Sequence, residues 1–263
     1  EAAHLESYIF AWMRKIIIIL FWGCLSLSVN AQVNVKDSLL NAPMIIPNVG
    51  VSLPTGDLAK RFGPFYSAGA NYLHKTKKNW LFGADIHFLF NSDVKDTTML
   101  KDVTTATGFI IGADGTLYDV RYQMRGLQGM ARFGKLFPVI GPNKNSGLYS
   151  TIGVGFMQHK IRFDYERNAD VPPIADDYVK GYDRLSNGLA ISPSFGYVHL
   201  SSSRLVNFFV SVDYTAAFTK NRRSWNFDLN SADPNLRLDG HVSLRIGWII
   251  PLYEKKADEY YFY

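Results

Sequence analysis

The chain has 263 residues, a formal charge of +5 and 14% aromatic residues. Its mean hydropathy is near zero, which excludes a helical membrane protein but suits a β-barrel, where only every second residue faces lipid. Acidic residues are interleaved with the basic ones throughout, so no nucleic-acid footprint is read. The single cysteine, Cys24, falls in a segment expected to be removed, so no disulfide, thiolate metal site or cysteine nucleophile is expected in the mature part.

Residues 1–12 are read as an upstream extension. Met13-Arg14-Lys15 then supplies a start and a basic region, and Ile16–Leu27 a short apolar core. Val29-Asn30-Ala31 before Gln32 fits a small-residue cleavage site. Together they predict a signal peptide at 13–31 and a mature domain at 32–263. The apolar run is too short for a membrane anchor, and Phe21-Trp22-Gly23 is a poor approach to lipidation at Cys24.

The mature chain alternates with period two in segments of about ten residues, the pattern of a transmembrane strand. In residues 45–53, Ile45, Val49, Val51 and Leu53 oppose Asn48, Gly50 and Ser52. In 66–74, Tyr66, Ala68, Ala70 and Tyr72 oppose Ser67, Gly69 and Asn71. In 80–90, Trp80, Phe82, Ala84, Ile86, Phe88 and Phe90 oppose Gly83, Asp85 and His87. Residues 118–133 begin with Tyr118, Val120, Tyr122 and Met124 against Asp119, Arg121, Gln123 and Arg125, and a change of phase near Gly126 predicts a bulge. Residues 148–165 and 188–200 follow. In 206–218, Val206, Phe208, Val210, Val212, Tyr214, Ala216 and Phe218 oppose Asn207, Ser211, Asp213 and Thr215. In 241–248, Val242, Leu244, Ile246 and Trp248 oppose His241, Ser243, Arg245 and Gly247.

Tight turns at 75–79 and 201–205 and a modest one at 134–147 alternate with long polar loops at 91–117, 166–187 and 219–240 and a shorter one at 54–65. The expected fold is therefore all-β: an eight-stranded antiparallel transmembrane up-and-down β-barrel with short periplasmic turns and long extracellular loops. The loop at 166–187, with Pro172-Pro173, is expected to be exposed and mobile. A soluble sandwich or lipocalin-like barrel would place the apolar faces inward. The charge on the polar faces and the aromatic residues at the ends of the apolar ones speak for lipid outside.

An eight-stranded barrel is filled by its own side chains. Asp85, Asp119 and Asp213 are thus expected to pair with Arg121, Arg125 and Arg245 in a packed polar interior, because an isolated buried ion is very costly. Two His-x-Ser pairs occur. His199-Leu200-Ser201 lies at a periplasmic turn. His241-Val242-Ser243 lies at the outer end of strand eight, with both polar side chains on the inward face. Asp170, Asp176, Asp177 and Asp183 match no calcium-loop spacing. No Gly-rich phosphate loop, zinc spacing or nucleotide motif is present, and no cofactor is expected.

Several segments resemble outer-membrane barrels of Bacteroidota. These are Leu53-Pro54-Thr55-Gly56-Asp57-Leu58-Ala59-Lys60-Arg61-Phe62-Gly63, Lys77-Lys78-Asn79-Trp80-Leu81-Phe82-Gly83, Pro142-Asn143-Lys144-Asn145-Ser146-Gly147, Gln158-His159-Lys160-Ile161, Lys180-Gly181-Tyr182-Asp183-Arg184-Leu185 and Gly247-Trp248-Ile249-Ile250-Pro251-Leu252-Tyr253. The resemblance implies location and fold rather than an activity. More distantly, the strand count is similar to OmpA and OmpX, although no peptidoglycan-binding domain follows. Arg245-Ile246-Gly247-Trp248-Ile249-Ile250-Pro251-Leu252 resembles the insertion signal read by the barrel-assembly machinery, but ends eleven residues before Tyr263. Some eight-stranded barrels modify lipid A, one with a His-x-Ser pair.

Three functional readings follow. The first is a non-enzymatic barrel with an anchoring, envelope-integrity or surface-interaction role. Its partners are outer-membrane lipid and lipopolysaccharide, the barrel-assembly machinery during insertion, and an envelope protein. The second is a lipid-modifying enzyme using His241 and Ser243. The third is a narrow channel or an accessory part of a secretion complex.

Overall fold

The computed structural model describes residues 39–166, 169–201 and 206–252. The upstream extension, the signal peptide, Cys24 and the C-terminal tail lie outside the described residues. Eight long strands follow one another: β1 Ala42–Gly56, β2 Phe65–Lys75, β3 Trp80–Asn91, β4 Arg121–Phe137, β5 Gly147–Asp164, β6 Ser186–His199, β7 Phe208–Asn221 and β8 Leu236–Trp248. Each pairs antiparallel with the next, and β8 pairs with β1 from Asn48↔Gly247 to Gly56↔Asp239, closing the ring. All eight expected strands are present, and no sheet edge of the ring is left open.

The alternation decides which way each strand faces. On β3, Trp80, Phe82, Ile86, Phe88 and Phe90 point outward while Leu81, Asp85, His87 and Leu89 are buried in the lumen. Phe88 is 62% exposed and Leu189 71% exposed. A belt of such side chains around a closed wall is tenable in lipid and not in water. No helix among the described residues is long and apolar enough to cross a membrane; the chain crosses with strands. It is a transmembrane β-barrel.

At β4 the expectation of a bulge fails. The β3–β4 and β4–β5 ladders run without a slip through Gly126, from Asn91↔Met124 to Trp80↔Lys135 and from Arg121↔Asp164 to Phe137↔Leu148. Even-numbered residues of β4 face inward throughout. The apparent change of phase has a physical source. β4 has 17 residues and β5 has 18, whereas a tilted strand needs about 9–11 to cross the bilayer. Both strands therefore project beyond the outer leaflet. There Val120 and Met124 are buried against external loops rather than facing lipid.

The periplasmic turn between β2 and β3 is tight. There Asn79 takes a left-handed conformation (φ 62°), which Asn tolerates, and its N–H donates to the Thr76 carbonyl at 2.9 Å. Outside, the β1–β2 connection contains one short helix, α1 Leu58–Arg61. Gly56 precedes it at φ +61°, where a Cβ would lie 2.4 Å from the Leu238 carbonyl oxygen; only glycine fits.

Two apolar clusters bracket the lumen. The periplasmic one joins inward residues such as Met44, Ile46, Leu73, Leu81, Leu136, Tyr149 and Phe209. The outer one joins Leu58 and Phe62 of the first loop, Met99, Leu100 and Ile110 of the second and Val171, Ile174 and Tyr182 of the third to Met124, Ile161 and Phe163 of the strands.

Candidate functional site

Between the clusters lies a polar layer built from facing positions of four strands. Arg132 on β4 donates through Nε to Asp85 Oδ2 on β3, and its Nη1 stands 3.5 Å from Asp213 Oδ1 on β7. Arg245 on β8 places Nη1 3.6 Å from Asp213 Oδ2. Two guanidinium groups thus alternate with two carboxylates, and the set is electrically balanced. His87 Nδ1 lies 3.1 Å from Asp85 Oδ1. Its Nε2 meets Asn48 Oδ1 at 3.0 Å, and Asn48 donates to Asn71 Oδ1 at 3.0 Å. Ser211 donates to Asp213 at 2.8 Å, and Arg132 also reaches the carbonyl and hydroxyl of Ser192 at 3.3 and 3.4 Å. Buried charges persist only when they are compensated: Arg132 is both paired and hydrogen-bonded, whereas Arg245 is held by the Asp213 charge, its Nε and Nη2 making no hydrogen bond to a described residue.

Asp85, Asp213 and Arg245 face the lumen, where the sequence pattern put them. Asp119, Arg121 and Arg125 do not, which corrects that part of the reading. Asp119 and Arg121 are exposed above the membrane, and Arg121 pairs with Asp164 at 3.4 Å. Arg125 lies on the outer wall beside Phe90. The cation in their stead is Arg132, which the phase taken from residues 118–125 concealed.

A second buried cluster lies toward the outer end. Asp239 on β8 accepts from Arg61 of α1 through Oδ1, and from His159 Nε2 (2.9 Å) and Thr219 through Oδ2. The Phe62 ring stands edge-on to His159 with centroids 5.6 Å apart. Arg61 therefore moors the first loop inside the barrel mouth, and Phe62 covers the ion pair. This cluster joins residues 178 and 80 positions apart in the chain, beyond the reach of a local pattern.

The external loops form one bonded cap. Gly63 N–H donates to the Asp93 carbonyl (2.9 Å) and Lys95 N–H to Arg61 (2.9 Å), joining the first and second loops. Ala113 N–H donates to Asp170 (2.9 Å), joining the second and third, and Phe227 N–H to Gly181 (3.0 Å), joining the third and fourth. Arg184 grips Asp96 and Asp228 at once, and Arg223 Nε donates to Asp183 at 2.8 Å. The third loop, expected to hang free, instead buries Val171, Ile174, Tyr182 and Asp183. Of its acidic residues, Asp177 is taken by Lys180 and Asp183 by Arg223. No group of three metal-ligating side chains occurs among the described residues.

Loop carboxylates are tuned by their partners. The Lys60 hydrogen bond, with that of the Leu238 N–H, holds Asp57 below the usual carboxylate range. For Asp233, burial pushes upward, but the hydrogen bonds from Arg237 and Asn235 together with the Arg237 charge outweigh it, and the net direction is down.

His241 and Ser243 are both fully buried and face the lumen. The Ser243 hydroxyl is engaged with Ser52 at 2.7 Å. His241 packs edge-on to Phe65 at 5.2 Å, and neither of its ring nitrogens makes a hydrogen bond to a described residue. A nucleophile needs a base within hydrogen-bond reach, and the structure does not join these two. His199, of the other pair, stacks on Phe208 at the periplasmic end with centroids 4.8 Å apart.

No protein-family model matches the sequence, and no curated protein matches it. Among solved structures the chain is similar to Ail, the attachment invasion locus protein of Yersinia pestis. The identity is 13%, covering 80% of this chain and 99% of that one, with a TM-score of 0.37. It is also similar to neisserial surface protein A, at 10% identity over 78% of this chain and 96% of that one (TM-score 0.39). A third is the outer membrane protein OprG from Pseudomonas aeruginosa, at 15% identity over 83% and 100% (TM-score 0.39).

Proposed function

We propose that the chain is a non-enzymatic outer-membrane barrel with an anchoring, envelope-integrity or surface-interaction role, whose working surface is the extracellular cap. The observation that carries this reading is the double seal. Apolar clusters close the lumen at both ends of a charge-balanced polar layer. A conducting path would have to displace one of these packed clusters. A lipid-modifying site would need His241 and Ser243 to face the acyl chains, and both point inward. The cap, by contrast, exposes Phe109, Ile111, Leu117, Tyr178, Trp225 and Phe227 on a bonded frame, an apolar surface of the kind that marks partner sites.

Outer-membrane lipid and lipopolysaccharide surround the wall, the barrel-assembly machinery handles the chain during insertion, and an envelope protein meets the cap. A signal peptide at 13–31 and a mature domain from Gln32 belong to the same proposal. Three measurements test it. The refolded chain should give no single-channel steps in planar bilayers. A deletion strain should keep its lipid A mass spectrum. Cross-linking in membranes should capture an envelope protein that Tyr178→Ala with Trp225→Ala releases. Steady conductance, or a lipid A change restored by the wild type and not by His241→Ala, would overturn the reading.

A further inference from the structure

The outer wall carries charges that neither the lumen nor the cap uses. We propose that β4 and β5 hold a site for a phosphate of an outer-leaflet lipopolysaccharide molecule, formed by Arg125, Lys160 and Arg162, with Phe88, Phe90 and Leu127 beneath it for the acyl chains. The proposal rests on the membrane location and orientation given above, and not on the cap's having a protein partner.

The register supplies the first argument. Arg125 stands directly opposite Lys160, and Arg162, two residues further along β5, stands opposite Gln123. Like charges directly opposite one another destabilise a strand pair. The Arg125 guanidinium donates to the Met124 carbonyl and to Gln123, and meets no carboxylate among the described residues. Lys160 and Arg162 are exposed and have no ion pair among the described residues. The acid next in register, Asp164, is held by Arg121. Three cations are thus gathered within two rungs without a counter-charge among the described residues, and a bound anion would convert their repulsion into attraction.

Depth supplies the second. On β4 the outward cations Arg125 and Lys135 are ten residues apart, the span of a tilted transmembrane strand of roughly 9–11 residues. Lys135 Nζ sits 5.2 Å over the Trp80 ring at the inner end of the wall. Arg125 and Lys160 therefore lie at the outer headgroup boundary.

Shape and chemistry agree. A groove of about 540 Å³ is lined by Phe88, Phe90, Arg125, Leu127, Gln158 and Lys160, an apolar floor beneath a cationic rim. Guanidinium and ammonium groups donate charge-assisted hydrogen bonds to phosphate oxygens. An amphiphile that joins a phosphate to acyl chains satisfies rim and floor together. Free phosphate meets only the rim.

The test is native mass spectrometry of the full mature chain in dodecyl maltoside. It is titrated with diphosphoryl lipid A, dephosphorylated lipid A and inorganic phosphate. A one-to-one adduct with diphosphoryl lipid A is expected. Arg125→Gln with Lys160→Gln and Arg162→Gln should weaken it by about tenfold or more. Lys77→Gln with Lys78→Gln and Lys144→Gln removes as much charge at the opposite end and should leave it unchanged. Heat-modifiable gel migration checks the fold of each variant. If the triple variant does not fold, Lys160→Gln and Arg162→Gln alone should each still weaken the adduct. Equal binding by the triple variant or by dephosphorylated lipid A overturns the proposal, and so does displacement of the lipid by inorganic phosphate at similar concentration. A chain that inserts into liposomes but binds no lipid A refutes the site alone, whereas failure to insert refutes the membrane reading as well.

Discussion

Replacing Arg132 by Ala is the sharpest test of how the lumen is held together. Among the described residues, Arg132 is the cation that meets both Asp85 and Asp213. Its loss leaves Asp85 with His87 at 3.1 Å and Asp213 with Arg245 at 3.6 Å, so one buried carboxylate has no permanent counter-charge. At 3.5 Å and an effective dielectric of about 20, a single ion pair is worth roughly 5 kcal/mol before desolvation. Breaking a buried pair by removing one member costs roughly 3–5 kcal/mol. At about 2–4 °C per kcal/mol for a chain of this size, the midpoint should fall by roughly 6–20 °C. The assay is urea and thermal unfolding of the refolded barrel in detergent micelles, followed by tryptophan fluorescence. Phe133→Ala, one residue along and 53% exposed on the lipid side, is the reference and should cost much less. Asp85→Leu with Arg132→Leu removes an entire pair, leaves Asp213 with Arg245, and should recover most of the loss. Equal effects of Arg132→Ala and Phe133→Ala, or a double variant as unstable as Arg132→Ala, would refute the alternating-charge account.

Three further outcomes are expected. Arg61→Ala strips Asp239 of its cation and unmoors the first loop; trypsin added to intact cells should then cut at Lys60, which the wild type resists. His241→Leu removes a buried ring with no hydrogen bond to a described residue and should change stability by less than about 1 kcal/mol, so strong destabilisation in urea titration would mean that the ring has an essential partner. Asp57 and Asp233 have depressed carboxyl pKa values. Their contribution is present above the unfolded value of about 3.9 and is lost as pH falls through the still lower folded value. Emission from Trp225, in a chain whose other tryptophans are Phe, should therefore hold from pH 7 to about 4 and shift only below it; a transition centred near pH 6 would assign the fourth loop's closure to other groups.

The barrel itself was legible because lipid outside and polar packing inside impose opposite demands on alternate residues. In membrane-crossing segments such as 45–53, 66–74, 80–90, 206–218 and 241–248, parity in the sequence agrees with burial. Parity failed where that premise failed. At the outer end of β4 both neighbours of the wall are protein or water, and Val120 and Met124 turn inward to the cap. Reading the strand from its other end would have settled it: Leu127, Phe133 and Phe137 are outward, which puts Gln128, Met130 and Arg132 inside and Arg125 outside. The Asp239, Arg61 and His159 cluster offered no such route, because its members come from a loop and two strands far apart in the chain.

That one error of phase also hid the chemistry of the wall. Placing Arg125 in the lumen makes it a partner for Asp85 and separates it from Lys160 and Arg162, the cations it stands beside on the outer rim. With β4 in its actual register, Arg132 completes a balanced set inside, and nothing within the barrel calls for Arg125. A charge that is surplus to the interior, placed opposite a second one at headgroup depth, is neutralised by the surrounding medium or by a bound anion. The groove of Phe88, Phe90 and Leu127 below it favours an anion that carries its own apolar chains. The interior and the rim are therefore linked through a single fact of register. A structure in which Arg125 entered the lumen would remove both the balance around Arg132 and the lipid site together.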